Sequence, residues 1–218
     1  YTPEESDIQG FQLIHGYTIH GLQLTNEHLK GFPATYYSYG SGIGNVLMEY
    51  PHTKSIRVGV VGMGIGTLSV YAKPGDEYSF FEINPDVISL AGDDRYFHFV
   101  NDAEKRGAKI NIIRGDGRLS MEREVMAADS PSYDVIVLDA FSSDSIPMHL
   151  LTKEAFTLYF NLLKEDGVLA VHISNEYLDL FPVTAAIADN FNVHAIVQTN
   201  SSNPGMGVFY AKWILLTN

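Results

Sequence analysis

The chain has 218 residues, 26 acidic against 14 basic side chains, a formal charge of −12 and a pI near 4.9. So acidic a surface does not hold a phosphate backbone by counterion release and is not drawn to anionic membranes. No nucleic-acid partner and no direct membrane contact are therefore expected, whereas a small cationic partner is compatible. With no cysteine, disulfides, thiolate zinc sites, iron–sulfur clusters and cysteine nucleophiles are excluded, and the 45% hydrophobic content is that of a chain that folds.

The opening YTPEESDIQG is polar and has no basic stretch followed by an apolar one, so no signal peptide is expected. Phe11 to Leu24 reads as two short strands around His15-Gly16. After a loop with Gly31 and Pro33, the segment Tyr36 to Tyr50 is aromatic and Gly-rich, then apolar at Val46 and Leu47, which predicts a helix. From Ser55 strands and helices alternate. Ile56 to Gly62 is a continuous apolar run, as a buried parallel strand requires. Thr67 to Ala72 is a short helix and Tyr78 to Ile83 a strand. A helix then opens with Asn84 as N-cap and Pro85 at the first helical position, and stops at Gly92. Lys109 to Asp116 is a strand, residues 118–128 a helix, and Tyr133 to Ala140 a strand. The next amphipathic helix runs from its N-cap Thr152 to a stop at Gly167. The strand 168–174, the helix 182–191 and two final strands complete the series.

This alternation predicts an α/β fold with a doubly wound parallel sheet covered on both faces. The last two strands are joined by a Ser/Asn/Pro/Gly stretch, Thr199 to Gly207, and should pair antiparallel. That layout is similar to the class I S-adenosylmethionine-dependent methyltransferase-like fold, with a C-terminal antiparallel hairpin and a short N-terminal β appendage. Residues 1–50 are read as the hairpin/helix appendage and 51–218 as a Rossmann-like nucleoside-binding catalytic domain.

Ligands of such sheets bind outside the carboxyl ends of the strands, and four segments arrive there. Gly62, Gly64 and Gly66 follow the first parallel strand; they either form a tight turn or let the backbone approach a ligand. Glu82 ends the next strand, where an acid can accept from both ribose hydroxyls or serve as a helix-entry charge. Asp116-Gly117 follows the third strand, within reach of an adenine edge, or caps the following helix. Asp139 and Asp144 follow the fourth, where two acids can bind an ammonium and remove its proton, or belong to a solvated loop. Without a basic residue in the Gly-rich loop, an adenosyl sulfonium fits better than a dinucleotide.

The eight histidines are not grouped at metal-ligand spacing, so no metal is expected. His15 and His20, five apart on strands, are expected on opposite sides. His172 ends the fifth parallel strand, as a pocket or a core residue. Tyr36, Tyr37 and Tyr39 read as packing, or as a cover for an alkyl amine, and Trp213 as core or interface.

With these residues in view, the sequence resembles the polyamine aminopropyltransferases, the spermidine synthase-like proteins, and looks most like the branch fused to a membrane transporter-like region. The resemblance spans essentially the whole chain. It implies that Gln23 touches the nucleoside, that Glu82 takes the ribose, and that Asp116 and Gly117 lie beside the adenine. It also implies that Tyr37, Asp144 and Pro147 contact the amine, with Asp139 as catalytic base and Asp144 as second acid. The implied reaction transfers an aminopropyl group from decarboxylated S-adenosylmethionine to an amine and releases methylthioadenosine. Two departures touch the transferred group rather than the nucleoside. Gly64 or Ile65 stands where the family's Gly-rich loop carries an Asp, and the catalytic loop is two residues longer between its acids. A methyltransferase using S-adenosylmethionine, and a non-catalytic domain that binds nucleoside or polyamine, therefore remain as alternatives. A cytoplasmic location, as a soluble domain of a membrane-fused parent, and a homodimer are compatible with this resemblance. The short N-terminal appendage suggests a chain cut from a longer protein.

Overall fold

The computed structural model describes residues 9–16, 18–51, 53–126, 132–141, 146–174 and 179–218. Its centre is a seven-stranded sheet in the order β5-β4-β3-β6-β7-β9-β8. These strands are β3 (Arg57–Val61), β4 (Glu77–Glu82), β5 (Lys109–Arg114), β6 (Tyr133–Leu138), β7 (Leu163–His172), β8 (His194–Asn200) and β9 (Ala211–Thr217). β3 to β7 run parallel, while β9 lies antiparallel to both β7 and β8. β1 (Gly10–His15) and β2 (Thr18–Leu24) form a separate antiparallel pair. This is the class I methyltransferase-like architecture, with its C-terminal antiparallel hairpin.

The apolar runs explain why the central strands are buried on both faces. All six residues of β6 are buried. Val135 and Val137 face one core, shared with Val58, Val60 and Phe80, and Ile136 and Leu138 face the other. The first core is covered by α1 (Gly42–Glu49), the 3-10 turn Thr67–Tyr71, α2 (Pro85–Ala91) and α3 (Phe99–Lys105). Against the second pack α4 (Gly117–Met126), α5 (Lys153–Leu162) and α6 (Phe181–Phe191). Through Ile43 and Leu47, α1 enters the same core as β3 and Trp213 of β9.

Local signals hold where a side chain caps a helix. Asn84 accepts from the Asp86 amide with Pro85 at the first position, and Thr152 accepts from the Ala155 amide. Other expectations are corrected. The helix expected to stop at Gly167 ends at Leu162, because Leu163 is already extended and pairs with Tyr133. Gly167 lies inside β7, where a Cβ would fall 2.6 Å from Leu163 Cγ and 3.0 Å from the Asp134 carbonyl oxygen. It is therefore a close-packing residue rather than a helix stop. The helix α3 has no counterpart among the predicted elements. His15 and His20 do not face opposite sides: their rings stack with centroids 6.2 Å apart. They stand on two different strands, and the register shifts between Leu13 and Ile14 so that His20 is the extra residue of a bulge. A bulge re-aims its side chain.

Candidate active site

The strand register assembles the site. Val61 of β3 pairs with Phe81 of β4 on one side and with Leu138 of β6 on the other. The next residues, Gly62, Glu82 and Asp139, therefore emerge together at the carboxyl edge of the sheet. Leu138 in turn pairs with Val171 of β7, which sets His172 beside Asp139.

The loop after β3 needs its glycines. Gly62, Gly64 and Gly66 have φ of 93°, 53° and 75°, a region that L side chains disfavour. A Cβ on Gly62 would lie 2.5 Å from the Asp139 carbonyl oxygen, and one on Gly64 would lie 2.4 Å from that of His20. The loop thus threads between β2 and the end of β6. Glu82, buried at the end of β4, holds it in place: Oε2 accepts from the Met63 amide at 3.0 Å and Oε1 from the Asn84 amide at 2.8 Å. Each carboxylate oxygen keeps a further lone pair for a ligand hydroxyl.

Asp116 follows β5. Its Oδ1 accepts from the Leu119 amide at 3.0 Å, the cap of α4, and its Oδ2 lies 2.8 Å from Nε2 of His149. Partial burial pushes this carboxyl up, but the Leu119 amide and the His149 contact outweigh it and hold it below the usual Asp range. Gly117 is required by contact, because a Cβ would meet Val61 Cγ1 at 2.6 Å.

Asp139 has two side-chain partners. The Tyr37 hydroxyl gives to Oδ2 at 2.7 Å, and Nδ1 of His172 lies 2.7 Å from Oδ1. Burial, with the adjacent Asp139 charge, pushes the Tyr37 phenol well above its usual value, so it remains a donor. The Tyr37 carbonyl accepts from the Tyr71 hydroxyl, which ties this segment to the turn after β3. The His172 ring stacks on Trp213, centroids 4.4 Å apart and planes within 9°, and meets the edges or faces of Tyr36 and Phe141 at 5.1 and 5.0 Å.

The remaining candidates fall in different places. Gln23 is buried and spans two backbone groups, donating from Nε2 to the Lys30 carbonyl at 2.7 Å and accepting at Oε1 from the His98 amide at 2.6 Å. Pro147 precedes the 3-10 turn Met148–Leu150 that carries His149. Asp144 lies outside the described residues. His20 lies against the glycine turn, its carbonyl oxygen 2.4 Å from where a Gly64 Cβ would stand. Burial lowers its imidazole below 6.5, as does His15, against the upward pull of Glu82 and Asp139. Its Nε2 has no hydrogen-bond partner among the described residues. Among those residues no cluster of three His, Asp or Glu side chains is placed to hold a metal ion, and no helix is long and apolar enough to cross a membrane. His172 was legible only as an undecided core or pocket residue. The signal that places it is that adjacent parallel strands end at Asp139 and His172.

No family model matches the chain. A polyamine aminopropyltransferase of Vibrio vulnificus (strain CMCP6) is 33% identical over 122 residues, 55% of this chain and 38% of that protein. Over about half of its length the chain is thus similar in sequence to a polyamine aminopropyltransferase. A probable polyamine aminopropyl transferase of Bifidobacterium longum (strain NCC 2705) is 30% identical over 118 residues, covering 53% of this chain and 23% of the other. At the same identity, an N-terminal histidine N-methyltransferase of Emericella nidulans matches 54% of this chain and 20% of its own length. The matches thus span well under half of each relative. Among solved structures, the spermidine synthase of Thermotoga maritima superposes with a TM-score of 0.55 at 16% identity, over 90% of this chain and 62% of that one. Human methyltransferase-like protein 13, solved with SAH, gives 0.56 at 17% identity, over 79% and 74%. These two share the fold.

Proposed function

We propose that this chain is the adenosyl-binding transferase unit of an aminopropyltransferase-like enzyme. In this reading it moves an aminopropyl group from decarboxylated S-adenosylmethionine to a small amine. The observation that carries the reading is the convergence of Glu82, the positive-φ glycine turn and Asp139 on one edge of the sheet. The relationship to aminopropyltransferases supports the same choice. The residues fit an adenosyl ligand: Glu82 retains lone pairs for two ribose hydroxyls, and the glycine turn leaves backbone at close range. Asp116 and Gly117 would face the adenine, with His149 yielding its contact on Asp116. Gln23 acts through Lys30 and His98, holding β2 against the segment that precedes α3.

The chemistry follows from charge. An aliphatic ammonium, with a pKa of about 10, is not nucleophilic at neutral pH. Asp139 takes one proton from it, and the freed lone pair attacks the carbon beside the sulfonium in line. The carbon–sulfur bond breaks toward sulfur, giving neutral methylthioadenosine and the extended amine. Asp144 is assigned the distal ammonium on its sequence position. Positioning and the base would supply most of the rate, the base on the order of 10²–10⁴. A cytoplasmic setting is consistent with such substrates.

The second reading is methyl transfer from S-adenosylmethionine. It is favoured by Gly64 and Ile65, which leave the loop without an acid for a donor ammonium, and by the histidine methyltransferase relative. Calorimetric titration with methylthioadenosine, S-adenosylmethionine and its decarboxylated form separates the two. Tighter binding of the decarboxylated donor is expected, and preference for the carboxylated one would transfer the proposal to methylation. Heat from methylthioadenosine without turnover on any amine would leave a binding domain.

A further inference from the structure

The established contacts of Asp139 extend beyond it, into the C-terminal antiparallel hairpin. The Lys212 amide of β9 donates to Ser174 Oγ at 2.7 Å, and Ser174 Oγ lies 2.8 Å from Nε2 of His172. His172 Nδ1 then meets Asp139 Oδ1, while Tyr37 donates to Oδ2. A backbone N–H can only donate, so one lone pair of Ser174 is filled from β9. The hydroxyl has a single proton to give, and His172 Nε2 is within reach of it. Trp213 of the same strand stacks flat on the imidazole and fixes its plane. The ring is buried, at 2% exposure.

We propose that His172 is a positioning residue for Asp139, held by Ser174 and β9 in its neutral Nδ1-protonated form so that it donates to the carboxylate. The direction of donation runs one way through the chain: Lys212 amide to Ser174, Ser174 to His172, His172 to Asp139. With Tyr37 fixing the second oxygen, the carboxylate is locked in rotation. No proton need move along this chain during the reaction. What it supplies is a carboxylate aimed by two strands instead of one. The inference rests on the role of Asp139 proposed above.

Two measurements on the full chain test it, one of which does not use activity. Long-range nitrogen–proton spectra of histidine-labelled protein are expected to show His172 protonated at Nδ1 and bare at Nε2. An Nε2-protonated or doubly protonated ring at neutral pH would overturn the proposal. For the kinetic arm, His172→Asn places an amide N–H near the position of Nδ1, and His172→Phe keeps the ring against Trp213 without a donor. The Asn variant should keep turnover within about threefold, while the Phe variant loses about tenfold to a hundredfold in kcat with the donor KM unchanged, as misaimed groups do. Equal turnover in the Phe and wild-type proteins, or a loss in KM alone, would refute it. Should the Phe variant fail to fold, Ser174→Ala must lower kcat and shift the His172 nitrogen spectrum. If the wild type shows no transfer with any donor, the proposed function falls, and the nitrogen spectrum alone decides the orientation of His172.

Discussion

Asp139→Asn tests the site where its geometry is tightest. The carboxylate is only 8% exposed and accepts from two donors, Tyr37 and His172, each at 2.7 Å. An asparagine offers one oxygen and one amide group. Whichever way it turns, one of the two donors must face N–H groups instead of an acceptor. The loss of one hydrogen bond to a charged group in a buried setting costs about 1.5–3 kcal/mol. For a domain near this size, 1 kcal/mol corresponds to about 2–4 °C in Tm. The variant should therefore melt about 3–12 °C lower, read by circular dichroism at neutral pH. Its turnover should fall by about 10²–10⁴, while methylthioadenosine binding, which the proposed reading assigns to Glu82 and the glycine turn, stays within about threefold. An unchanged Tm together with retained turnover would refute both the buried acceptor and the base. Unchanged turnover with a lowered Tm would leave Asp139 as a structural acceptor only.

Gly64→Ala should weaken methylthioadenosine binding and lower the Tm by several degrees, because its φ is 53° and the added Cβ would press on the His20 carbonyl oxygen. Gly92→Ala is the matched control: nothing lies closer than 3.7 Å to its Cβ position, so urea denaturation should place it within about 0.5 kcal/mol of wild type. Burial lowers the His20 imidazole below its ordinary 6.5. A histidine whose folded pKa is lowered contributes stability above its unfolded value and loses it as pH falls through that region. Between pH 7.5 and 5.5 the wild type should therefore lose more stability in urea titrations than His20→Gln; equal losses would contradict that placement. His149→Ala removes one of the contacts that hold Asp116 down, so the Asp116 carboxyl should titrate at higher pH in carboxyl-carbon spectra, and no movement would deny the contact.

The sheet was legible because its signals are local. Ile56 to Gly62 and Tyr133 to Ala140 contain the apolar runs Val58–Val61 and Val135–Leu138, as a strand buried on both faces requires, and Asn84-Pro85 and Thr152 carry their own caps. Elements whose cause is tertiary were not. Gly167 looks like a helix stop, yet it is glycine because Leu163 and the Asp134 carbonyl crowd it across the β6–β7 irregularity. α3 lacks a strong apolar period in FVNDAEK and is held by Phe99, Val100 and Ala103 packing inward. The His15–His20 stack depends on a bulge that no five-residue spacing reveals. For the site, the strand-end residues Gly62, Glu82, Asp116 and Asp139 could be named from position alone. What could not be read was their company: Tyr37 reaches Asp139 across 102 residues and His172 across 33. Nor could the backbone partners of Gln23 be read, the Lys30 carbonyl and the His98 amide, which lie 7 and 75 residues away.

The most direct test of the central claim is product analysis by mass spectrometry, with the chain incubated with decarboxylated S-adenosylmethionine and a panel of diamines. The account expects methylthioadenosine in equal amount to an amine heavier by one aminopropyl group, and expects neither product from Asp139→Asn. Formation of S-adenosylhomocysteine from S-adenosylmethionine, with no methylthioadenosine from the decarboxylated donor, would contradict it.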